Sequence, residues 1–152
     1  MSPVTWLCCL FEELTVTSLY DILQLRLAVF AVEQNVVYQD CDGRDPSCHH
    51  LLGYRDGRLV AYSRLLPPGL AYPGAASIGR VVTAASVRGQ GLGMELMERS
   101  VAHLRQLHGN CRVVISAQLY LEDFYKRFGF VSSGDPYLED SIPHIRMEKA
   151  PI

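Results

Sequence analysis

A mixed α/β (α+β) domain, with helices covering a sheet, is predicted by three features of the sequence. Segments of strand and helix periodicity follow one another as β, α, β-hairpin, β, α, β, α, β, so early strands pair directly and later ones alternate with helices. The dipeptide Asp56-Gly57, set between two apolar runs, is a strong short-range hairpin signal. The chain has 152 residues, 49% apolar and 20% charged, the profile of one globular domain spanning residues 1–152. At this size roughly 70% of the unfolded chain's surface can be buried, so the core needs neither disulfide nor metal.

The elements follow from local patterns. Residues 6–11 are an apolar run of strand length. Hydroxyls at Thr15, Thr17 and Ser18 then offer an N-cap, and Leu19, Ile22, Leu23, Leu27 and Phe30 recur at helical spacing up to about Glu33. Residues 35–46 contain Asp40, Asp42, Gly43, Asp45 and Pro46, whose turn chemistry predicts a loop in which the aspartates make turns. Residues 49–55 and 58–66 are the arms of the hairpin, and the Pro- and Gly-rich stretch 67–76 is a second loop. A strand at 77–83, a helix at 91–108 and a strand at 111–116 come next. Leu121, Phe124, Tyr125 and Phe128 repeat at i, i+3, i+4 and i+7, which makes 119–128 a short amphipathic helix ended by Gly129. A last strand covers about 144–149.

Charge and composition exclude several function classes. The balance of 14 basic against 16 acidic residues offers no general attraction for nucleic acid or anionic lipid. No apolar run exceeds six residues, against the roughly 20 a membrane helix needs, so no membrane partner is expected. The first residues lack the basic start of a signal peptide, and the expected location is cytoplasmic. Cys8, Cys9, Cys41, Cys48 and Cys111 make an odd count, which favours free thiols. Cys41, Cys48, His49 and His50 crowd together, but the adjacent histidines would point to opposite faces of a strand, so no metal site is expected.

The chemistry is concentrated in Ile78-Gly79-Arg80-Val81-Val82-Thr83 and the following Arg88-Gly89-Gln90-Gly91-Leu92-Gly93. A strand leads through a glycine-rich turn into a helix, so backbone N–H groups and the positive end of the helix converge where an anion can sit. Arg88 adds a formal charge there. Met94-Glu95 stand where a P-loop requires Lys and Ser or Thr, and a dinucleotide fingerprint lacks its third glycine. Downstream, Tyr125 sits within Phe124-Tyr125-Lys126-Arg127-Phe128-Gly129-Phe130, either as a core residue of its helix or as a proton donor.

The Arg-x-x-Gly-x-Gly loop and the Tyr-x-x-x-Gly-Phe segment together resemble the GNAT superfamily of N-acetyltransferases. Leu23-Gln24-Leu25-Arg26, Val29-Phe30, Glu33-Gln34, Tyr38-Gln39-Asp40, Asp42-Gly43, His50, Ile78-Gly79-Arg80, Ser116-Ala117-Gln118 and Ile142-Pro143-His144-Ile145 narrow the resemblance to its ElaA-type branch. The resemblance implies an acyl-CoA N-acyltransferase fold, a central and mostly antiparallel sheet flanked by helices. It implies acetyl-CoA as cosubstrate, with Val81, Val82 and Thr83 on the pantetheine arm and Arg88, Gly89, Gln90, Gly91, Gly93 and Met94 on the pyrophosphate. It also implies that Tyr125 protonates the departing thiolate, while Gln118 stands where many relatives carry Asn.

N-acetyl transfer by direct attack within a ternary complex needs a neutral amine, a polarised thioester, an oxyanion donor and an acid. A backbone N–H from Val81 to Thr83 is the expected oxyanion donor. Glu33, His50 and His144 are the candidates for the base, directly or through water. Glu33 has a second reading as an ion-pair partner of Arg64 or Arg80, which lie in apolar strands and need an anion, and the histidines have one as buried, hydrogen-bonded side chains. The acceptor class is a small-molecule or peptide primary amine, and pairing with a second copy as a homodimer is left open. The alternative function is a noncatalytic acyl-CoA-binding or regulatory module, which would keep the loop and lose the acid and base.

Overall fold

The computed structural model describes residues 2–152. Strand β1 (Thr5–Leu10) leads into helix α1 (Val16–Leu27), whose first turn is capped by the Thr15 hydroxyl accepting from the Ser18 N–H at 3.0 Å. The helix does not run on regularly to Glu33: over Ala28–Glu33 it widens into a π-helical turn, with bonds from Gln34 N to Val29 O and from Val36 N to Ala31 O. Strands β2 (His49–Arg55) and β3 (Arg58–Leu66) form the expected hairpin, and Asp56 and Gly57 both take the left-handed conformation a tight hairpin turn requires. Then come β4 (Ser77–Thr83), α2 (Leu92–His108), β5 (Val113–Gln118), the short α3 (Glu122–Lys126), β6 (Val131–Glu139) and β7 (Ile142–Lys149).

Strand β6 is the element the hydrophobic pattern does not reveal. It is an exposed edge strand paired only with β7, and a bulge around Gly134, Asp135 and Pro136 interrupts the pairing between Ser133 and Tyr137. Turn-forming residues are tolerated there because an edge needs only one set of ladder bonds. The β6–β7 turn places Asp140 and Ser141 at positive φ without glycine, so it lacks the signal that marks the first hairpin.

The strands form two antiparallel sheets, in the orders β1-β2-β3-β4 and β5-β7-β6. They meet at one parallel bridge, Ala76 to Val113, sealed by Ala76 N to Arg112 O (3.0 Å) and Val114 N to Ala76 O (2.9 Å). Beyond it β4 and β5 are no longer hydrogen-bonded, and a cleft opens between them. The helices lie on opposite faces, as the alternation of β2 and β3 requires: Leu52 and Tyr62 pack with Ile22 and Leu25 of α1, while Leu51 and Ala61 pack with Leu92 and Leu96 of α2.

Candidate active site

A cleft of about 1010 Å³ is walled by the π-turn, β4, the start of α2, β5, α3 and the β6–β7 turn. One edge of it is shaped by a bulge in β4. Tyr62 faces Val82 and Arg64 faces Gly79, so Arg80 and Val81 share the single partner Ser63. The extra residue is accommodated by Arg80 at φ +50°, and Val81, Val82 and Thr83 line the cleft just beyond it.

Arg80 is held in that conformation by the loop after α1. Its Nε donates to Asp40 Oδ1 at 3.0 Å and its Nη2 to the Asp40 carbonyl at 3.0 Å, while its guanidinium lies over the Tyr38 ring. Asp40 also meets Arg26 Nε at 2.9 Å and accepts from the Tyr38 hydroxyl at 2.6 Å. Asp45 pairs with Arg26 (2.8 Å) and Arg64 (3.1 Å), and Asp42 receives two bonds of 2.8 Å from Arg64. Three arginines and three aspartates thus neutralise one another along one wall of the cleft. The aspartates expected only to make turns are the anions that Arg64 and Arg80 required. Burial alone would push Asp42 and Asp45 up, but the arginine hydrogen bonds hold both carboxyls below their ordinary range.

After a short turn at Ala85–Val87 the loop reaches Arg88, and Gly89 and Gly91 adopt φ values of +79° and +77°. A Cβ at either glycine would have nothing within 4 Å but would strain this left-handed backbone. Gly91 gives α2 no side-chain cap, so the N–H groups of its first turn are offered to an incoming acceptor. The Arg88 guanidinium donates twice to the Glu33 carboxylate, through Nη1 to Oε1 and through Nη2 to Oε2 at 2.7 Å. Gln90 turns its side chain away, accepting from Arg55 at 2.8 Å, and Met94 Sδ receives Arg127 Nη1 at 3.8 Å. Arg88 and Gly93 line the cleft, whereas Gly89, Gln90, Gly91 and Met94 lie in the same segment off its wall.

The π-turn spans the opening. Beside Glu33, the Gln34 amide forms a reciprocal pair with Gln118 at the end of β5, with bonds of 3.1 and 3.2 Å. One turn of chain therefore ties the Arg88 loop of the first sheet to β5 of the second. The sequence motifs include both Gln34 and Gln118 but do not show that they pair.

Tyr125 is 7% exposed and lines the cleft, with its ring edge-on to Phe124 and Phe130. Its hydroxyl has no hydrogen-bond partner among the described residues. Burial pushes the phenol well above its ordinary pKa, so it stays protonated. His144, on β7, also lines the cleft: its Nδ1 lies 2.7 Å from the Ile142 carbonyl, its Nε2 3.3 Å from Glu139 Oε2, and its ring stacks on Tyr137. An Nδ1–H donated to that carbonyl leaves Nε2 as the atom able to take a proton.

One expected ion pair and one candidate for the base are corrected. Glu33 does reach the cleft, but its partner is Arg88 rather than Arg64 or Arg80. His50 does not reach the cleft: it is 1% exposed, with Nδ1 at 2.7 Å from the Tyr62 hydroxyl and Nε2 at 2.9 Å from the Asp45 carbonyl. Both ring nitrogens serve the fold. Among the described residues no group of three or more His, Cys, Asp or Glu comes together as metal ligands, and no helix is long and apolar enough to cross a membrane.

A splayed pair of parallel strands, a bulged strand, and an arginine-glycine loop opening a helix define a class, the acyl-CoA-dependent transferases. The residues suit such a donor, since Gly89, Gly91 and the uncapped helix start leave backbone N–H groups open beside Arg88. The family model described as the acetyltransferase (GNAT) domain matches residues 21–151, and the chain belongs to that family. It is 39% identical over 151 residues to Protein ElaA of Escherichia coli (strain K12), covering 98% of each chain. The crystal structure of an acyl-CoA N-acyltransferase from Pseudomonas aeruginosa matches with TM-score 0.92 and 47% identity, over 97% of this chain and 99% of that one. The crystal structure of Escherichia coli ElaA matches with TM-score 0.90 and 38% identity, over 96% and 99%. The expected superfamily, its ElaA-type branch and the mixed fold are therefore found.

Proposed function

We propose that the protein transfers an acetyl group from acetyl-CoA to a primary amine by direct attack in a ternary complex. The observation that carries this reading is the presence of two proton-handling groups, the unpartnered Tyr125 hydroxyl and His144 Nε2, on the wall of one cleft that also exposes the β4 bulge. The Arg88 to Gly93 segment binds the diphosphate, and the backbone of Val81 to Thr83 holds the pantetheine arm and donates an N–H to the thioester oxygen. The amine nitrogen bonds to the acyl carbon as the carbon–sulfur bond breaks. The proton lost by the amine goes to His144 Nε2, directly or through one water, and the Glu139 carboxylate beside it stabilises the resulting imidazolium.

Tyr125 serves the sulfur. Its phenol is raised above a reference of about 10, whereas a thiol titrates near 8.5, so complete transfer to the thiolate runs uphill. The hydroxyl therefore acts by donating a hydrogen bond to the charge developing on sulfur, which carries the same advantage during bond breaking. Glu33, engaged on both oxygens by Arg88, is not assigned as base.

Tyr125→Phe preserves the ring packing and removes that donor. The expected outcome is a kcat loss of roughly 10²-fold or more with desulfo-CoA affinity unchanged by calorimetry. Equal turnover, measured where chemistry limits the rate, would remove Tyr125 from the reaction. Binding without any acceptor-dependent thiol release would favour the noncatalytic module.

A further inference from the structure

We propose that the acceptor is a primary amine that also carries a carboxylate, as an amino acid does; this deepens the N-acyl transfer reading and rests on it. Most charges at the acceptor end of the cleft are already paired. Arg64, Arg80 and Asp42 line it but are committed to the buried network, and Arg88 is committed to Glu33. Arg44 and Asp140 remain, both lining the cleft, and neither side chain has a hydrogen-bond or ion-pair partner among the described residues. Among the described residues Glu139 pairs with His144 and, at 3.5 Å, accepts from the Ser116 hydroxyl.

Tyr72 lines the same cleft as Arg44, Glu139 and Asp140. Its hydroxyl has no hydrogen-bond partner among the described residues, and its ring lies under the Arg146 guanidinium at 5.2 Å. Burial raises the phenol first, Tyr137 and Glu139 raise it further, and Arg146 and Arg44 oppose them, so both signs act on one oxygen. Arg146 is spoken for by Glu148 at 3.0 Å, which leaves Arg44 as the available cation.

Arg44 is presented from a fixed base. Its backbone N–H bonds Asp42 Oδ1 at 3.0 Å, and its carbonyl accepts from Ser47 N at 3.0 Å and Cys48 Sγ at 3.1 Å. A guanidinium so mounted matches a carboxylate through two parallel bonds. Glu139 and Asp140 favour an arriving ammonium, and His144 is placed to deprotonate it. A plain amine satisfies only the acidic side and leaves Arg44 without a counter-ion; an amine with a carboxylate satisfies both.

The test measures thiol release from acetyl-CoA with L-amino acids, each beside its carboxamide and its decarboxylated amine. The expected result is a kcat/KM for the free acid at least tenfold above either partner, and an Arg44→Gln protein of unchanged melting temperature in which that preference is erased through KM. Equal use of acid and amide by the unaltered protein would overturn the proposal. So would an Arg44→Gln protein that keeps the preference. If no amine releases thiol above the acceptor-free rate while desulfo-CoA still binds, the N-acyl transfer reading itself fails and takes this proposal with it. Turnover confined to amines without a carboxylate would leave that reading standing and sink this one alone.

Discussion

At Arg88 the Glu33 carboxylate holds the guanidinium that the proposed diphosphate would also need. Both side chains of the pair are about two-fifths exposed, so the attraction between them is screened by water and salt. Arg88's hydrogen bonds hold the Glu33 carboxyl below its ordinary range, and it stays ionised across neutral pH. Glu33→Gln keeps the shape of the side chain and removes a negative charge from beside the diphosphate. Desulfo-CoA should then bind about threefold tighter at low salt by calorimetry, with the gain fading as salt rises. Weaker binding would mean instead that Glu33 steadies Arg88 for the donor. Arg88, Gly89, Gly91 and Tyr125 were legible in the sequence because their signal is local, a spacing within one turn or one short helix. The partner of Glu33 was not, since 55 residues separate it from Arg88 and only the tertiary path of the π-turn brings them together.

Among the elements, β4 shows how a local irregularity serves a site. Its bulge needs a left-handed residue, and the chain places there an arginine rather than a glycine, held by Asp40. The side chain thus supplies what the backbone preference withholds. Arg80→Ala and Arg80→Gly both lose the bonds to Asp40, but only alanine retains a Cβ in the unfavourable conformation. The glycine variant should therefore be more stable than the alanine variant by about 1 kcal/mol, a difference of roughly 2–4 °C in melting temperature. It should also have the lower KM for acetyl-CoA, because Val81 to Thr83 keep their aim. An alanine variant as stable as the glycine one would show that the bulge relaxes once the clamp is gone. Bulge, π-turn and β6 were all absent from the sequence reading for one reason. Each depends on a partner strand or a distant charge, whereas periodicity reports only whether a segment repeats every two or 3.6 residues.

For the whole molecule, the order of strands and helices was readable apart from β6, because each of the other segments carries its own period, but the division into two sheets was not. Beyond Ala76 the cleft between β4 and β5 is flanked by chain from outside both strands, the π-turn through Gln34 on Gln118 of β5 and the following loop through Asp40 on Arg80 of β4. The Arg26, Arg64 and Arg80 network also couples the fold to pH. Asp42 and Asp45 titrate below their unfolded values, so the stability they contribute is complete above about pH 4 and is lost as pH falls further. His50 is kept neutral by burial, with Arg26 and Arg64 nearby. Its folded pKa lies below the unfolded reference of about 6.5, so the unfolded chain binds the proton first and stability declines as pH drops through 6.5. The urea midpoint should be level between pH 8 and 7, fall between 6.5 and 5, and fall again below 4. His50→Gln should start lower at pH 7 and lose most of the first fall, leaving the smaller slope due to His103 and His108, which are shifted the same way. Asp42→Asn should instead shrink the second fall and leave the first intact. A midpoint that stays level from pH 7 to 5 in the unaltered protein would mean that His50 takes its proton without leaving the fold, and that its bonds to Tyr62 and Asp45 rearrange around the charge.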